Sequence, residues 1–181
     1  SRPTKRIRRR WKRARRQRPS MAKDEQRLKV GVQRACDWPQ LPSKSQVRVW
    51  ARAATAGSAI KGGQVTVRFV DGDEGRRLNR DFRARDYPTN VLSFPYQQQP
   101  LLHGDLVLCA PVVADEASAQ RKPLTAHYAH LVVHGMLHLQ GYDHEVGEKQ
   151  AAAMEKRERQ ILARLGYPDP YRDTQLPRPG N

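Results

Sequence analysis

Cysteine is scarce in this chain of 181 residues: Cys36 and Cys109 are the two it has, and neither stands in a CxxC pair. A disulfide framework is thereby excluded, and both read as small buried apolar residues of a protein in a reducing compartment. Long apolar runs are missing too. The longest, Leu106–Val113, is eight residues and contains Pro111, against the roughly 18 to 20 needed to cross a bilayer, so no spanning helix and no membrane partner are expected. Residues 1–20 lack any acidic side chain, and no apolar segment follows them, since Met21-Ala-Lys-Asp-Glu-Gln-Arg comes next. The basic start is therefore not read as a secretory signal.

What that start has is charge. Lysine and arginine total 34 against 18 aspartate and glutamate, a net charge of +16, and eleven of the basic residues lie within residues 1–20. The remaining 161 residues carry 23 basic against 18 acidic side chains and are only mildly basic. With Ile7, Trp11 and Ala14 as its apolar side chains, the block buries too little surface to offset its ordering entropy, and it is expected to be a disordered appendage. A tag, a processed end, a transit peptide and a nucleic-acid arm share that composition, so no function is built on it. The length suits one domain, expected over residues 21–168, followed by a polar, proline-rich tail at 169–181 expected to fray.

Periodicity sketches the domain. Leu28–Cys36 alternates as a short strand, and Trp38–Pro42 reads as a loop. Ser43 or Ser45 caps a helix carrying Val47, Trp50, Ala51 and Ala54 and ending by Gly57. Gln64–Val70 has period two, with Val65, Val67 and Phe69 on one face, and Asp71 or Asp73 caps a short helix through Leu78 and Phe82. Thr89–Phe94 and Gly104–Ala110 read as strands around a loop at Pro95–His103. A helix over Ala126–Leu139 ends at Gly141, and a last one over Val146–Leu165 carries Met154, Ile161, Leu162 and Leu165 on one stripe before Gly166 and Pro168. The fold class expected is α+β: a single domain with a small mixed β-sheet, helices packed on it, and a site at the end of a helix.

The chemistry concentrates in His134-Gly-Met-Leu-His138-Leu-Gln-Gly141-Tyr-Asp-His144. Residues four apart on a helix lie about 40° apart and roughly 6 Å along the axis, so two imidazoles reach one ion. A third ligand requires the helix to stop and the chain to fold back, and Gly141 is placed for that reversal with His144 beyond it. Three neutral nitrogens leave a position for water, as in a catalytic zinc site; nickel or another divalent transition metal suits the same ligands. His130, one turn before His134, is a candidate to support a ligand imidazole from behind or to serve as a fourth ligand, and Asp143 a candidate to orient an imidazole. His127 and His103 have no comparable spacing. The frame matches the zinc metalloprotease signature H-E-x-x-H-x-x-G-x-x-H except that Gly135 replaces the glutamate base, which disfavours proteolysis. A peptidase would need Glu145 or Glu116 brought to the metal from elsewhere.

The segment His134–His144 closely resembles the H-G-x-L-H-L-x-G-Y-D-H motif of the YbeY family of endoribonucleases, the rRNA maturation factors. Leu78-Asn-Arg-Asp-Phe-Arg83-Ala-Arg-Asp-Tyr-Pro-Thr-Asn-Val-Leu-Ser-Phe-Pro95 resembles that family's second block, and Gly104-Asp105-Leu106 its glycine–aspartate strand start. The resemblance spans roughly residues 25–168. It implies a metal-dependent, cytoplasmic endoribonuclease acting on single-stranded RNA, with ribosomal RNA and the small ribosomal subunit as partners in 3′-end maturation and ribosome quality control. By the same resemblance His134, His138 and His144 are the metal ligands and Arg83 is the functionally important arginine. Read as chemistry, a guanidinium such as that of Arg83 matches phosphate oxygens with paired donors. Arg85 follows two residues on, and Thr89, Asn90 and Ser93 put hydrogen-bonding groups on a strand whose prolines were expected to prevent pairing at its ends, a candidate wall of an RNA cleft. Attack by water activated at the metal and attack by the ribose 2′-hydroxyl both fit these residues. The competing class is a non-catalytic, ribosome-associated RNA-binding factor with structural zinc, and a fourth protein ligand closing the site would mark it.

Overall fold

A computed structural model describes residues 27–172, so the basic block and the last nine residues lie outside the described residues. Four strands, β1 (Lys29–Arg34), β2 (Gly62–Val70), β3 (Val91–Gln97) and β4 (Leu101–Cys109), form one sheet in the order β1-β2-β4-β3. β1, β2 and β4 run parallel, and β3 pairs antiparallel with β4. Five helices complete the α+β domain: α1 (Lys44–Ala53), α2 (Gly72–Arg83), α3 (Ala110–Ala119), α4 (Leu124–Leu139) and α5 (Glu148–Arg164).

Alternation along the strands divides the core between two faces. Val65, Val67, Phe69, Leu106 and Leu108 point to the larger face and are fully buried under α1, α4 and α5. Val70, Leu92, Val107 and Cys109 point to the other face, where Leu78 of α2 packs. Helix ends follow local chemistry. Ser43 and Gln46 form a capping box on α1, and the Asp71 carboxylate accepts from the Glu74 amide at the start of α2.

The structure departs from the sequence expectations in three places. Helix α3 was not expected. Its Val112 and Val113 continue the apolar run of β4 and no side chain caps it, so neither period nor cap announces it, while Pro111 suits the first turn. The loop expected over Pro95–His103 shrinks to residues 98–100, with a cis bond at Gln99–Pro100. Pro95 pairs with Gly104 rather than preventing pairing, because β3 is an edge strand; a bulge between Pro95 and Gln97 then breaks the register. Lastly, Asp169–Arg172 do not fray. Pro170 is buried and its carbonyl accepts from Lys122 Nζ, Asp169 pairs with Arg159 at 3.2 Å, and the Arg159 guanidinium lies 5.2 Å from the Tyr171 ring centroid.

Candidate metal centre

Helix α4 runs through the middle of the domain, buried from His127 to Leu139 on most of its surface. It lies so close to the sheet that a Cβ on Gly135 would come within 2.8 Å of Leu106 Cδ2. The position that holds the base in the metalloprotease signature thus faces packed β4 and β3 side chains, not the cleft, and no carboxylate fits there. One face of α4 stays open, and it carries His134 and His138.

The end of α4 builds the rest. Gly141 takes φ +99°, its amide donates to the His138 carbonyl, and the Tyr142 amide donates to the Leu137 carbonyl, the paired bonds of a Schellman stop. That stop turns the Tyr142 carbonyl back over the helix, where it accepts from His138 Nδ1 at 2.9 Å. Two residues further, His144 reaches its companions. His134 Nε2 and His144 Nδ1 each lie 3.0 Å from His138 Nε2.

Proton bookkeeping then decides what these nitrogens are. The Tyr142 carbonyl only accepts, so His138 Nδ1 carries the proton and Nε2 a lone pair. Glu158, on α5, is fully buried and accepts from His134 Nδ1 through Oε1, which turns His134 Nε2 towards His138. Burial raises the Glu158 carboxyl, but hydrogen bonds from His130 and His134 and the charges on both outweigh it and hold it well below the usual carboxylate range, so it is ionised and accepts only. Burial, then the charges of His134 and His144, push the His138 imidazole down to about 4 and keep it neutral at pH 7. His138 Nε2 therefore presents a lone pair to both neighbours, and one ring nitrogen from each of the three histidines gathers within 4.8 Å of the others. Nitrogens bound at zinc distances in tetrahedral geometry are about 3.3 Å apart, close to what the triad presents. The donor set fits a divalent transition ion, and among the described residues no other histidine, cysteine or carboxylate joins these three.

The surroundings set the character of the site. Arg83, Arg85, Thr89, Asn90, Ser93 and Asp143 line one cleft of about 540 Å³ with the three histidines, and Glu145 lines it as well. Arg83 closes α2 just before Ala84, which takes φ 55°; Phe82 is held edge-on against Phe94 at 5.2 Å, tying that helix end to β3. Asn79 donates to the Tyr87 carbonyl at 2.7 Å, and Arg76 grips Asp86 through two bonds of 2.8 Å, so the turn bearing Arg85 is pinned twice. Asp143 Oδ1 accepts from the Glu145 amide and shapes the loop that carries His144.

His130 stands behind the triad, not in it: its Nε2 is 3.3 Å from the Tyr171 hydroxyl and 3.6 Å from Glu158 Oε2. Glu116 is on α3, accepting from Asn90 at 3.2 Å, and is not grouped with the histidines. Glu158 and Tyr171, whose hydroxyl donates to Glu158 Oε2, are absent from the sequence expectations. A signal for Glu158 was present. It falls on the stripe of Met154, Ile161 and Leu162, where a charge needs a buried partner.

Comparison with known proteins agrees with this construction. The family model for endoribonuclease YbeY matches residues 35–166. Proteins named endoribonuclease YbeY from Methylobacillus flagellatus and Aromatoleum aromaticum are 54% and 55% identical, over 80% of this chain and 94% and 93% of their own lengths. A solution structure of a Thermotoga maritima protein, 24% identical, shares the fold with a TM-score of 0.50 over 82% of this chain and 99% of its own. No helix among the described residues is long and apolar enough to cross a membrane. Because the family match runs from the end of β1 through α5 and contains both arginines and all three histidines, the chain belongs to the endoribonuclease YbeY family.

Proposed function

We propose that this chain is a zinc-dependent, single-strand-specific endoribonuclease of the cytoplasm that acts on ribosomal RNA in the small subunit, at the 3′ end, and in ribosome quality control. The observation that carries the metal-dependent reading is the convergence of three imidazole nitrogens in an arginine-lined cleft. His134, His138 and His144 would hold zinc, which would supply Lewis acidity towards the phosphodiester and acidify water.

The chain's own residues do the remainder. Glu158 and the Tyr142 carbonyl fix the orientation and protonation of two imidazoles. Arg83 takes the non-bridging oxygens of the scissile phosphate, where negative charge builds in the transition state, and Arg85 adds charge on the same wall. Thr89, Asn90 and Ser93 offer hydrogen bonds along the β3 side of the cleft. Three histidines with no fourth ligand grouped with them among the described residues favour catalysis over a structural ion, and the packing of Gly135 speaks against a peptidase. The test is cleavage of single-stranded against double-stranded RNA with metal analysis of the same sample. Chelator-sensitive cutting of the single strand, lost together with the metal in His138→Ala, is expected. Unchanged metal content in folded His138→Ala would overturn the ligand assignment.

A further inference from the structure

A second pocket, of about 1050 Å³, lies beside the metal centre at the turn joining α3 to α4. Asn90, Val91 and His134 line both this pocket and the catalytic cleft, so the two are contiguous. Its wall contains His127, 3% exposed, and neither ring nitrogen of His127 has a hydrogen-bond partner among the described residues. Nε2 stands 3.5 Å from Glu116 Oε2, outside hydrogen-bonding geometry. His130 Nδ1, also on this wall, is buried and unpartnered. Native proteins rarely leave buried polar atoms unmatched, and two histidines with unpartnered nitrogens in the wall of one cavity mark a place for a polar ligand. At the rim is Arg121, held at φ 53°. That angle belongs to the left-handed stop of α3, where the Arg121 amide donates to the Ser118 carbonyl and the Lys122 amide to the Ala117 carbonyl, and the guanidinium makes no ion pair with any described carboxylate.

We propose that this pocket is a subsite for the ribonucleotide next to the scissile phosphate: Arg121 takes a backbone phosphate, and the base turns inward onto His127 and Glu116. The imidazole offers one donor and one acceptor, and the carboxylate accepts from an exocyclic amine, so a base bearing such an amine is favoured over uracil. This deepens the endoribonuclease reading and rests on it.

The experiment is calorimetric titration of the metal-loaded full chain with AMP, UMP and inorganic phosphate, for the unaltered protein and for His127→Phe and Arg121→Ser. AMP is expected to bind more tightly than UMP. His127→Phe is expected to weaken AMP by about tenfold and to leave inorganic phosphate unchanged; Arg121→Ser is expected to weaken both nucleotides by about tenfold. His127 has only its 3.5 Å approach to Glu116 to lose, so His127→Phe should melt close to the unaltered chain. A lower melting temperature with unchanged AMP binding would mean a structural histidine and overturn the subsite. Should His127→Phe fail to fold, Arg121→Ser decides alone, and AMP binding unchanged in it overturns the proposal. Chelator-sensitive RNA cleavage without any AMP binding sinks the subsite and leaves the nuclease; AMP binding without cleavage does the reverse.

Discussion

Replacing Glu158 separates its orienting role from its packing role. Its carboxylate is fully buried, with Oε1 on His134 Nδ1 and Oε2 on the Tyr171 hydroxyl. Glu158→Gln keeps the shape and one acceptor for His134 but removes the charge that makes the imidazole a stronger donor to a metal. Losses of this kind are about 10- to 100-fold in metal affinity, or roughly 1.4 to 2.7 kcal/mol. Glu158→Ala instead strands two buried donors and opens a cavity, and should destabilise the fold by about 3 to 5 kcal/mol. Zinc titration against a competing chelator reads the first effect, and denaturant unfolding reads the second. The pH dependence supplies a third readout. The carboxyl titrates near 2 in the folded chain against 4.5 for the ordinary group, so its contribution is complete above 4.5 and is lost as pH falls through 2. It amounts to on the order of 3 kcal/mol. Metal-free protein should therefore lose stability relative to Glu158→Gln as pH drops through that window. Zinc affinity in Glu158→Gln within twofold of the unaltered chain, with parallel pH profiles, would refute the reasoning.

Arg83→Ala should keep its metal and its melting temperature while single-turnover RNA cleavage falls by about tenfold or more, since Arg83 lines the cleft without bonding to the three histidines; loss of metal in that variant would place Arg83 in the fold instead. Gly135→Glu, which restores the metalloprotease signature, should destabilise the chain by about 3 kcal/mol or more and yield no peptidase activity, because the side chain meets Leu106 and Val91. Chelation should lower the melting temperature, as an ion held by the three histidines of the folded chain and not by the unfolded one stabilises the fold; an unchanged transition by calorimetry would contradict that. Lowering pH from 7 to 5 should leave His138 neutral, given its value of about 4, so the proton released on zinc binding over that range comes from other groups. His138→Gln should then leave the count of released protons unaltered between pH 7 and 5 while weakening zinc.

The histidine spacing and Gly141 sufficed to expect three imidazoles in one place, because helix geometry and a left-handed stop are local rules that eleven residues can express. Period-two alternation likewise placed Val65, Val67 and Phe69 on a buried face. Capping chemistry made the starts of α1 and α2 legible at Ser43 and Asp71. Helix α3 was hidden because its valines and Pro111 extend the strand pattern of β4 without a polar cap. Which bases and charges meet the triad was a matter of tertiary structure. Glu158 lies 24 residues beyond His134 and Arg83 lies 51 before it, and only the packing of α5 on α4 and of α2 on β3 brings them near. The sequence by itself determined the local metal-binding frame and the sheet's inner face. The tertiary structure decided which His134 nitrogen turns to the centre, because Glu158 of α5 holds the other, and it decided that Gly135 faces a packed sheet, because that depends on how closely α4 approaches β4.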